Sequence, residues 1–146
     1  MVDTKLVGRA IAALVRTSGA FHQKIKEDAT VHGLHVTEFS VMELLYHQGR
    51  QPVQKVAQHV LITSGSTTYV LDKLVKKQLI KRTMCSEDRR VTYVELTEEG
   101  QRLMEDAFPA HLENMKRFFA GVDEDTLKEW IELTRKLGKA ARKGER

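Results

Sequence analysis

Residues 63–97, TSGSTTYVLDKLVKKQLIKRTMCSEDRRVTYVELT, decide the fold, because their hydrophobic period changes in the middle. Up to Gln78, the residues Val70, Leu71, Leu74 and Val75 recur at helical spacing and line one face of a helix that opens at Thr63 or Ser64. After Gln78 the period falls to two. Val91, Tyr93 and Glu95 lie on one face of an extended segment, with Thr92, Val94 and Leu96 on the other. LIKRTMC is the partner strand across the polar turn SEDR. Upstream, PVQKVAQHV puts Val53, Val56, Ala57 and Val60 on the inner side of a short helix. Pro52 is tolerated in its first turn, where an N–H has no partner anyway. LITSG is a tight connection. Two short helices joined by a turn of about 3 to 4 residues and followed by a two-stranded hairpin make a winged helix-turn-helix.

The flanking segments frame this lobe. TEFSVMELLYHQG reads as a helix with Thr37 as N-cap and Gly49 as a left-handed stop. Leu6, Ala10, Ile11, Leu14, Val15, Phe21 and Ile25 predict one amphipathic helix over 3–28, well beyond the average of about 11 residues. Thr97, followed by Glu98 and Glu99, caps a helix over 97–119 that runs through Pro109 with a kink. Gly121 ends it. Asp123 caps a last helix whose stripe is Leu127, Trp130, Ile131, Leu133 and Leu137. The expected fold is mainly α, with a small wing hairpin as its β element, in one domain over 1–146. The winged lobe spans 35–98. The helices of 1–30 and 100–146 carry more apolar surface than that lobe can cover, and are read as dimerisation helices.

Composition and charge narrow the function. The chain has 146 residues, 41% of them apolar, with 24 Lys plus Arg against 20 Asp plus Glu and a single Cys. One cysteine excludes an internal disulfide framework, and no apolar run approaches the roughly 18 to 20 residues that span a bilayer. The opening MVDTKLVGRA lacks the layout of a signal peptide, so a cytoplasmic protein without membrane partners is expected. The net charge of +4 is the remainder of two basic segments, each +5, over a body of −6. One segment is 73–90, with Lys73, Lys76, Lys77, Lys81, Arg82, Arg89 and Arg90; the other is the tail 135–146. The tail reads first as a solvated terminus, since terminal charge runs commonly only solvate a chain end. A basic helix and hairpin on an acidic body point to a polyanion, and the shapes fit duplex DNA, with the helix in the major groove and the hairpin tip in the minor groove.

On the third helix Ser64, Ser66, Thr68 and Tyr69 are the groups able to reach base edges and phosphates, and Gly65 allows close backbone approach. Thr67 and Tyr69 serve equally as packing residues. Lys73, Lys76 and Lys77 supply sequence-independent affinity, although Lys76 and Lys77 also suit a helix C-terminus without any DNA. Asp88 is out of place beside phosphates unless it pairs with Arg90 and fixes the direction of that guanidinium.

DRRVTYVELTEEG (88–100) resembles the wing signature of the MarR family of bacterial transcription regulators, and TSGSTTYVLDKLVKKQLIKR resembles that family's recognition helix leading into the wing. The likeness covers essentially the whole chain. With GLHVTEFSVMELLYHQG it is similar to the subgroup that responds to quinones and catechols. The resemblance implies a homodimer on a pseudo-palindromic operator, with Arg90 in the minor groove oriented by Asp88, flanked by Arg89. It also implies a repressor released by small phenolic or quinone-type compounds bound between the dimer helices and the lobe. Phe21, His22, Phe39, Met42 and Tyr46 are the candidate lining, or else plain core residues.

Cys85, beside Arg82, Arg89 and Arg90 but also Glu87 and Asp88, is either a thiol sensor or a small hairpin residue. His32, His35 and His111 with Glu38 are a candidate metal set, without Cys-x-x-Cys or HExxH, and the expectation is no metal and no cofactor. There is no phosphate loop, nucleophile elbow or paired-carboxylate cleft, so an enzyme is not expected. A winged-helix protein-interaction module is the alternative from a different class.

Overall fold

The computed structural model describes residues 1–60 and 64–144, with residues 64 and 65 known through the backbone alone. The cap candidate Thr63, the Leu61 and Ile62 of the turn, and Glu145 and Arg146 of the tail lie outside the described residues. The chain divides into two compact units, Met1–His111 and Leu112–Arg146.

The first unit opens with α1 (Thr4–Val31), capped by the Asp3 carboxylate, which accepts from the Lys5 N–H at 3.0 Å. α1 ends where Gly33 turns left-handed at φ 70°, and the Leu34 N–H reaches back to the Ala29 carbonyl at 3.0 Å. This double back-bonded ending satisfies carbonyls that the helix itself leaves unpaired. α2 (Val36–Gln48) follows after four residues, and its cap corrects the expectation of Thr37. The cap is His35: its imidazole accepts from the Thr37 N–H, and Glu38 returns a bond to the His35 N–H at 2.9 Å. An imidazole nitrogen does here what a hydroxyl or carboxylate oxygen ordinarily does, closing a reciprocal box over two orphan donors.

α2 is the centre of the core. Phe39, Val41, Met42, Leu44 and Leu45 are all buried. Apolar residues on nearly every side of a helix mean that it is enclosed, and α2 packs against α1, α3, α4 and the sheet. Gly49 ends α2 at φ 70°, ψ −156°. That is not the left-handed helical cap the sequence suggests but the mirror-extended region open almost only to glycine.

The wing has one strand more than its hairpin pattern announces. β1 (Gln51–Pro52) pairs with β3 (Thr92–Leu96), which pairs in turn with β2 (Ile80–Met84), all antiparallel in the order β1-β3-β2. A two-residue strand leaves no periodicity to read. Pro52 suits it, because an edge strand spares the missing N–H, and its extended ψ of 143° makes it the N-cap of α3 (Val53–His59). The predicted two-stranded hairpin is thus the outer part of a three-stranded sheet. Val94, opposite Arg82 in the register, points into the core with 0% exposure, which marks the face of Thr92, Val94 and Leu96 as the inner one.

α4 (Ser64–Lys76) buries Val70, Leu71 and Leu74. Two residues beyond its end stands Gln78, the one non-glycine with positive φ (61°) among the described residues. α5 (Glu98–Lys116) is capped by the Thr97 hydroxyl, which accepts from the Gly100 N–H at 3.0 Å, and continues without a break through Pro109. In the second unit a 3-10 turn (Arg117–Phe119) precedes α6 (Glu124–Lys143), and the Asp123 carboxylate caps α6 by accepting from the Thr126 N–H at 2.9 Å. No residue of α6 is buried, and Trp130, Ile131, Leu133 and Leu137 stand exposed.

Candidate nucleic-acid interface

α4 has two chemically distinct faces. Val70, Leu71 and Leu74 anchor the inner one, joined by Thr67 at 2% exposure. Ser66, Thr68, Tyr69, Lys73 and Lys76 face outward. The two residues that could serve either role therefore separate: Thr67 packs, while Tyr69 is 62% exposed. The Lys73 ammonium sits 5.1 Å from the centre of the Tyr69 ring, a cation–π contact one helical turn apart. Ser64 and Gly65 belong to the first turn of α4 by their backbone.

The wing tip is organised around Asp88. Its Oδ1 accepts from the Arg90 backbone N–H and from Arg90 Nε, each at 3.0 Å, and its Oδ2 accepts from Arg90 Nη2 at 3.1 Å. The Arg90 side chain pairs bidentately yet remains 90% exposed. The guanidinium and then the backbone N–H of Arg90 hold the Asp88 carboxyl below the usual carboxylate range, and Arg90 is pushed up in return. The turn is closed by Val91 N–H to Asp88 O at 3.0 Å and Cys85 N–H to Val91 O at 2.9 Å. An arginine projecting into solvent with its torsions already fixed is suited to insertion into a narrow groove. Arg89 is exposed beside it.

Helix and wing meet across a cleft of about 450 Å³, lined among others by Gln54, Thr68, Asp72, Arg82, Arg90 and Thr92. Thr68 and Arg90, from the two separate elements, share this wall. Asp72 and Arg82 are joined across it at 2.6 Å. Gln54 is a member the sequence did not reveal, and Arg82, read there only as one cation of the basic segment, is bound to Asp72 by a helix–strand ion pair ten residues apart that no local signal marks. Lys77, expected among the phosphate ligands, instead turns inward: its ammonium donates to the Gly33 carbonyl at 3.1 Å and to Glu38 Oε1 at 3.0 Å.

The five residues named for an effector are not all brought together. Phe39 and Met42 are fully buried. Phe21 is half-buried, and His22 is exposed on α1. Tyr46 belongs to a chain of rings between α2 and α5: Tyr46 to Phe108 at 5.8 Å, His47 to Phe108 at 4.5 Å, and Phe39 to His111 at 5.1 Å. His111 Nδ1 lies 2.8 Å from Asp28 Oδ2 on α1. The candidate metal set is dispersed into these roles, with His35 capping, Glu38 bound to Lys77, and His111 bound to Asp28. Among the described residues no group of three or more His, Cys, Asp or Glu side chains could hold a metal ion, and no helix is long and apolar enough to cross a membrane. Cys85 is half-buried at the end of β2.

The MarR family model matches residues 34–92, the span from the end of α1 to the start of β3. The HTH-type transcriptional regulator MhqR of Bacillus subtilis (strain 168) is 42% identical over 107 residues, which are 73% of this chain and 74% of that protein. Two solved structures share the fold at lower identity. Reduced AbfR bound to DNA superposes with a TM-score of 0.74 at 20% identity, covering 94% of this chain and 95% of that one. NadR in complex with 4-hydroxyphenylacetate superposes with a TM-score of 0.79 at 22% identity, covering 88% and 91%.

Proposed function

This chain belongs to the MarR family of winged helix-turn-helix DNA-binding transcriptional regulators, and we propose that it acts as a homodimeric repressor released from a pseudo-palindromic operator by a small phenolic or quinone-type effector. The observation that carries the reading is the Asp88–Arg90 pair, an exposed guanidinium held bidentately at a wing tip that shares one cleft with the outward face of α4. In this reading Ser64, Gly65, Ser66, Thr68 and Tyr69 approach the major groove, with Lys73 and Arg89 on the backbone and Arg90 in the minor groove.

The second copy is supported by apolar surface that the chain leaves open. Leu6, Val7, Ile11, Leu14 and Val15 on α1, and Trp130, Ile131, Leu133 and Leu137 on α6, are exposed. On each helix taken by itself, that is a row of large apolar side chains of the kind a partner subunit covers. Two subunits place two recognition helices on half-sites about 34 to 36 Å apart. The effector class rests on the ring chain of Phe39, Tyr46, Phe108 and His111, on the likeness to MhqR, and on the phenolic acid bound by NadR. An effector that prefers the DNA-incompetent arrangement by about 1 to 3 kcal/mol weakens operator binding roughly 5- to 150-fold.

The test is selection of duplex DNA from a random-sequence library on the full chain, followed by binding measurements on the selected DNA with and without catechol. Arg90→Ala is expected to abolish specific binding while sedimentation still shows a dimer. Specific binding by Arg90→Ala at physiological salt overturns the wing assignment. Selected DNA without two-fold symmetry, or a monomer in sedimentation, overturns the dimer.

A further inference from the structure

We infer that Lys77 and Glu38 are positioning residues for DNA recognition: their ion pair, buried at the Glu38 carboxylate and reached by a part-exposed Lys77, sets the pose of the recognition helix α4. The inference rests on the DNA-binding reading above and adds two residues to it, one of them unable to touch DNA.

Glu38 is a buried carboxylate at 2% exposure on the first turn of α2. Its Oε1 accepts from the His35 N–H at 2.9 Å and from the Lys77 ammonium at 3.0 Å. Its Oε2 is enclosed without a directed hydrogen bond, and the same ammonium stands 2.8 Å away. Lys77 also donates to the Gly33 carbonyl in the turn between α1 and α2. One ammonium therefore joins the end of α4 to the end of α1 and the start of α2. A carboxylate this deep is tolerated only while its cation stays in place, so the contact has one allowed geometry and not a range.

The next two residues fasten the same end of α4 to α5. Gln78, in the left-handed region at φ 61°, offers its carbonyl to the Thr97 hydroxyl at 2.6 Å. The Leu79 carbonyl accepts from the Thr97 N–H at 3.0 Å. Gly100 packs so closely that a Cβ there would stand 2.1 Å from the Leu79 oxygen. The C-terminal end of α4 is thus pinned on one side to α1 and α2 and on the other to α5. The residues proposed to read bases lie at its opposite end. α4 has 13 residues, so it is about 20 Å long, and a small rotation at the pinned end is carried along the helix to the base contacts.

Two other roles for Lys77 make different forecasts. As a phosphate ligand it would strengthen binding to any duplex and contribute about 0.9 per subunit to the salt slope. As a helix-terminal cation with only a structural role it would affect stability alone.

The experiment uses the full chain with duplex selected by the wild type and with random-sequence duplex, each titrated from low to high salt. Lys77→Met and Glu38→Gln are both expected to lower the preference for selected over random duplex by about 5- to 150-fold, the effect of spoiling one base contact. Random-duplex affinity and the salt slope are expected to remain within twofold and 0.3 of wild type, and Lys77→Arg to restore most of the preference. Glu38→Gln keeps the acceptor for the His35 N–H, so it serves if Lys77→Met does not fold. An equal loss on both duplexes with a shallower slope overturns the proposal in favour of phosphate contact. A lowered melting temperature with unchanged preference overturns it in favour of a structural pair. A wild-type chain that selects no DNA overturns the DNA-binding reading and this inference with it.

Discussion

Replacing Asp88 with alanine sets two physical effects against each other, and their signs separate within a single experiment. The substitution removes a negative charge from a wing expected to lie against phosphates, so simple electrostatics forecasts tighter binding. It also removes both side-chain bonds that fix Arg90, Oδ1 to Nε at 3.0 Å and Oδ2 to Nη2 at 3.1 Å. Arg90 is 90% exposed, so nothing else restrains its torsions once the carboxylate is gone. Immobilising a free arginine on DNA then weakens binding by roughly two- to tenfold per wing, from the entropy of ordering one rotamer-rich side chain. In a dimer the two wings compound to about 4- to 100-fold.

The electrostatic gain has another signature. Freeing one unit of positive charge per wing steepens the dependence of log K on log salt by about 0.9 per wing, or roughly 1.8 per dimer. At 1 M salt that term vanishes by construction, leaving the loss of orientation alone. Fluorescence anisotropy on selected duplex, from 0.1 M salt upward and extrapolated to 1 M, should therefore give two lines that cross between roughly 0.1 and 0.5 M salt, the variant being the weaker binder above the crossing and the tighter below it. The Asp88→Ala line is the steeper, and its 1 M intercept lies 4- to 100-fold weaker. An intercept equal to or tighter than that of the parent refutes the orienting role and reduces Asp88 to a charge the wing tolerates.

Three further outcomes follow from individual contacts. Gly100→Ala puts a Cβ 2.1 Å from the Leu79 carbonyl oxygen, a backbone atom that cannot rotate away; urea denaturation should show a loss of about 1 to 3 kcal/mol or more, and a parent-like midpoint would contradict the close approach of α5. Tyr69→Ala, at a position 62% exposed, should leave stability within about 0.5 kcal/mol while weakening binding to selected duplex, so an unchanged affinity removes Tyr69 from the interface. Arg90 holds the Asp88 carboxyl below its ordinary value, so whatever the pair contributes is fully present above about pH 3.9 and lost only as pH falls through the lowered value. Binding should accordingly show no wing-dependent change between pH 8 and pH 5, and a midpoint in that window that Asp88→Asn abolishes would contradict the depressed carboxyl.

What was legible in the sequence is what repeats locally. The change of period at Gln78 announced α4 and the wing, and Thr97 and Asp123 announced two helix starts, because a cap and an alternation are each contained within a few residues. The two-residue β1 escaped, since its pairing with Tyr93 and Val94 is made across more than forty residues. His35 escaped as a cap because its residue type ordinarily caps nothing; only the placed ring shows Nδ1 facing the Thr37 N–H. For the candidate site, the Asp88–Arg90 pair is readable because a single residue separates the partners. The Lys77–Glu38 pair spans 39 residues and the His111–Asp28 pair 83. No periodicity encodes which charge a lysine meets at that range, so the sequence alone sets Lys77 among its basic neighbours.

That regrouping changes what the basic segment can do. Of its seven cations, Lys77 is held by Glu38, Lys81 faces Glu95 at 3.7 Å, Arg82 is bound to Asp72, and Arg90 to Asp88. Lys73 leans on Tyr69, and among the described residues neither Lys73 nor Lys76 nor Arg89 makes an ion pair. The formal +5 of residues 73–90 therefore overstates the charge available to phosphates, which rests mainly on Lys73, Lys76 and Arg89. If each takes one phosphate, the segment contributes about 2.7 to the salt slope per subunit; all seven would contribute about 6.3. Single substitutions separate the two cases without knowledge of the total. Lys76→Ala should lower the slope by about 0.9 per subunit, while Lys81→Ala, which releases Glu95 as it removes a cation, should leave it near the parent value. Equal reductions from both would mean that the internal partners let go on binding, and that the basic segment meets DNA as a diffuse charge and not as the few directed contacts that the folded wing and helix hold ready.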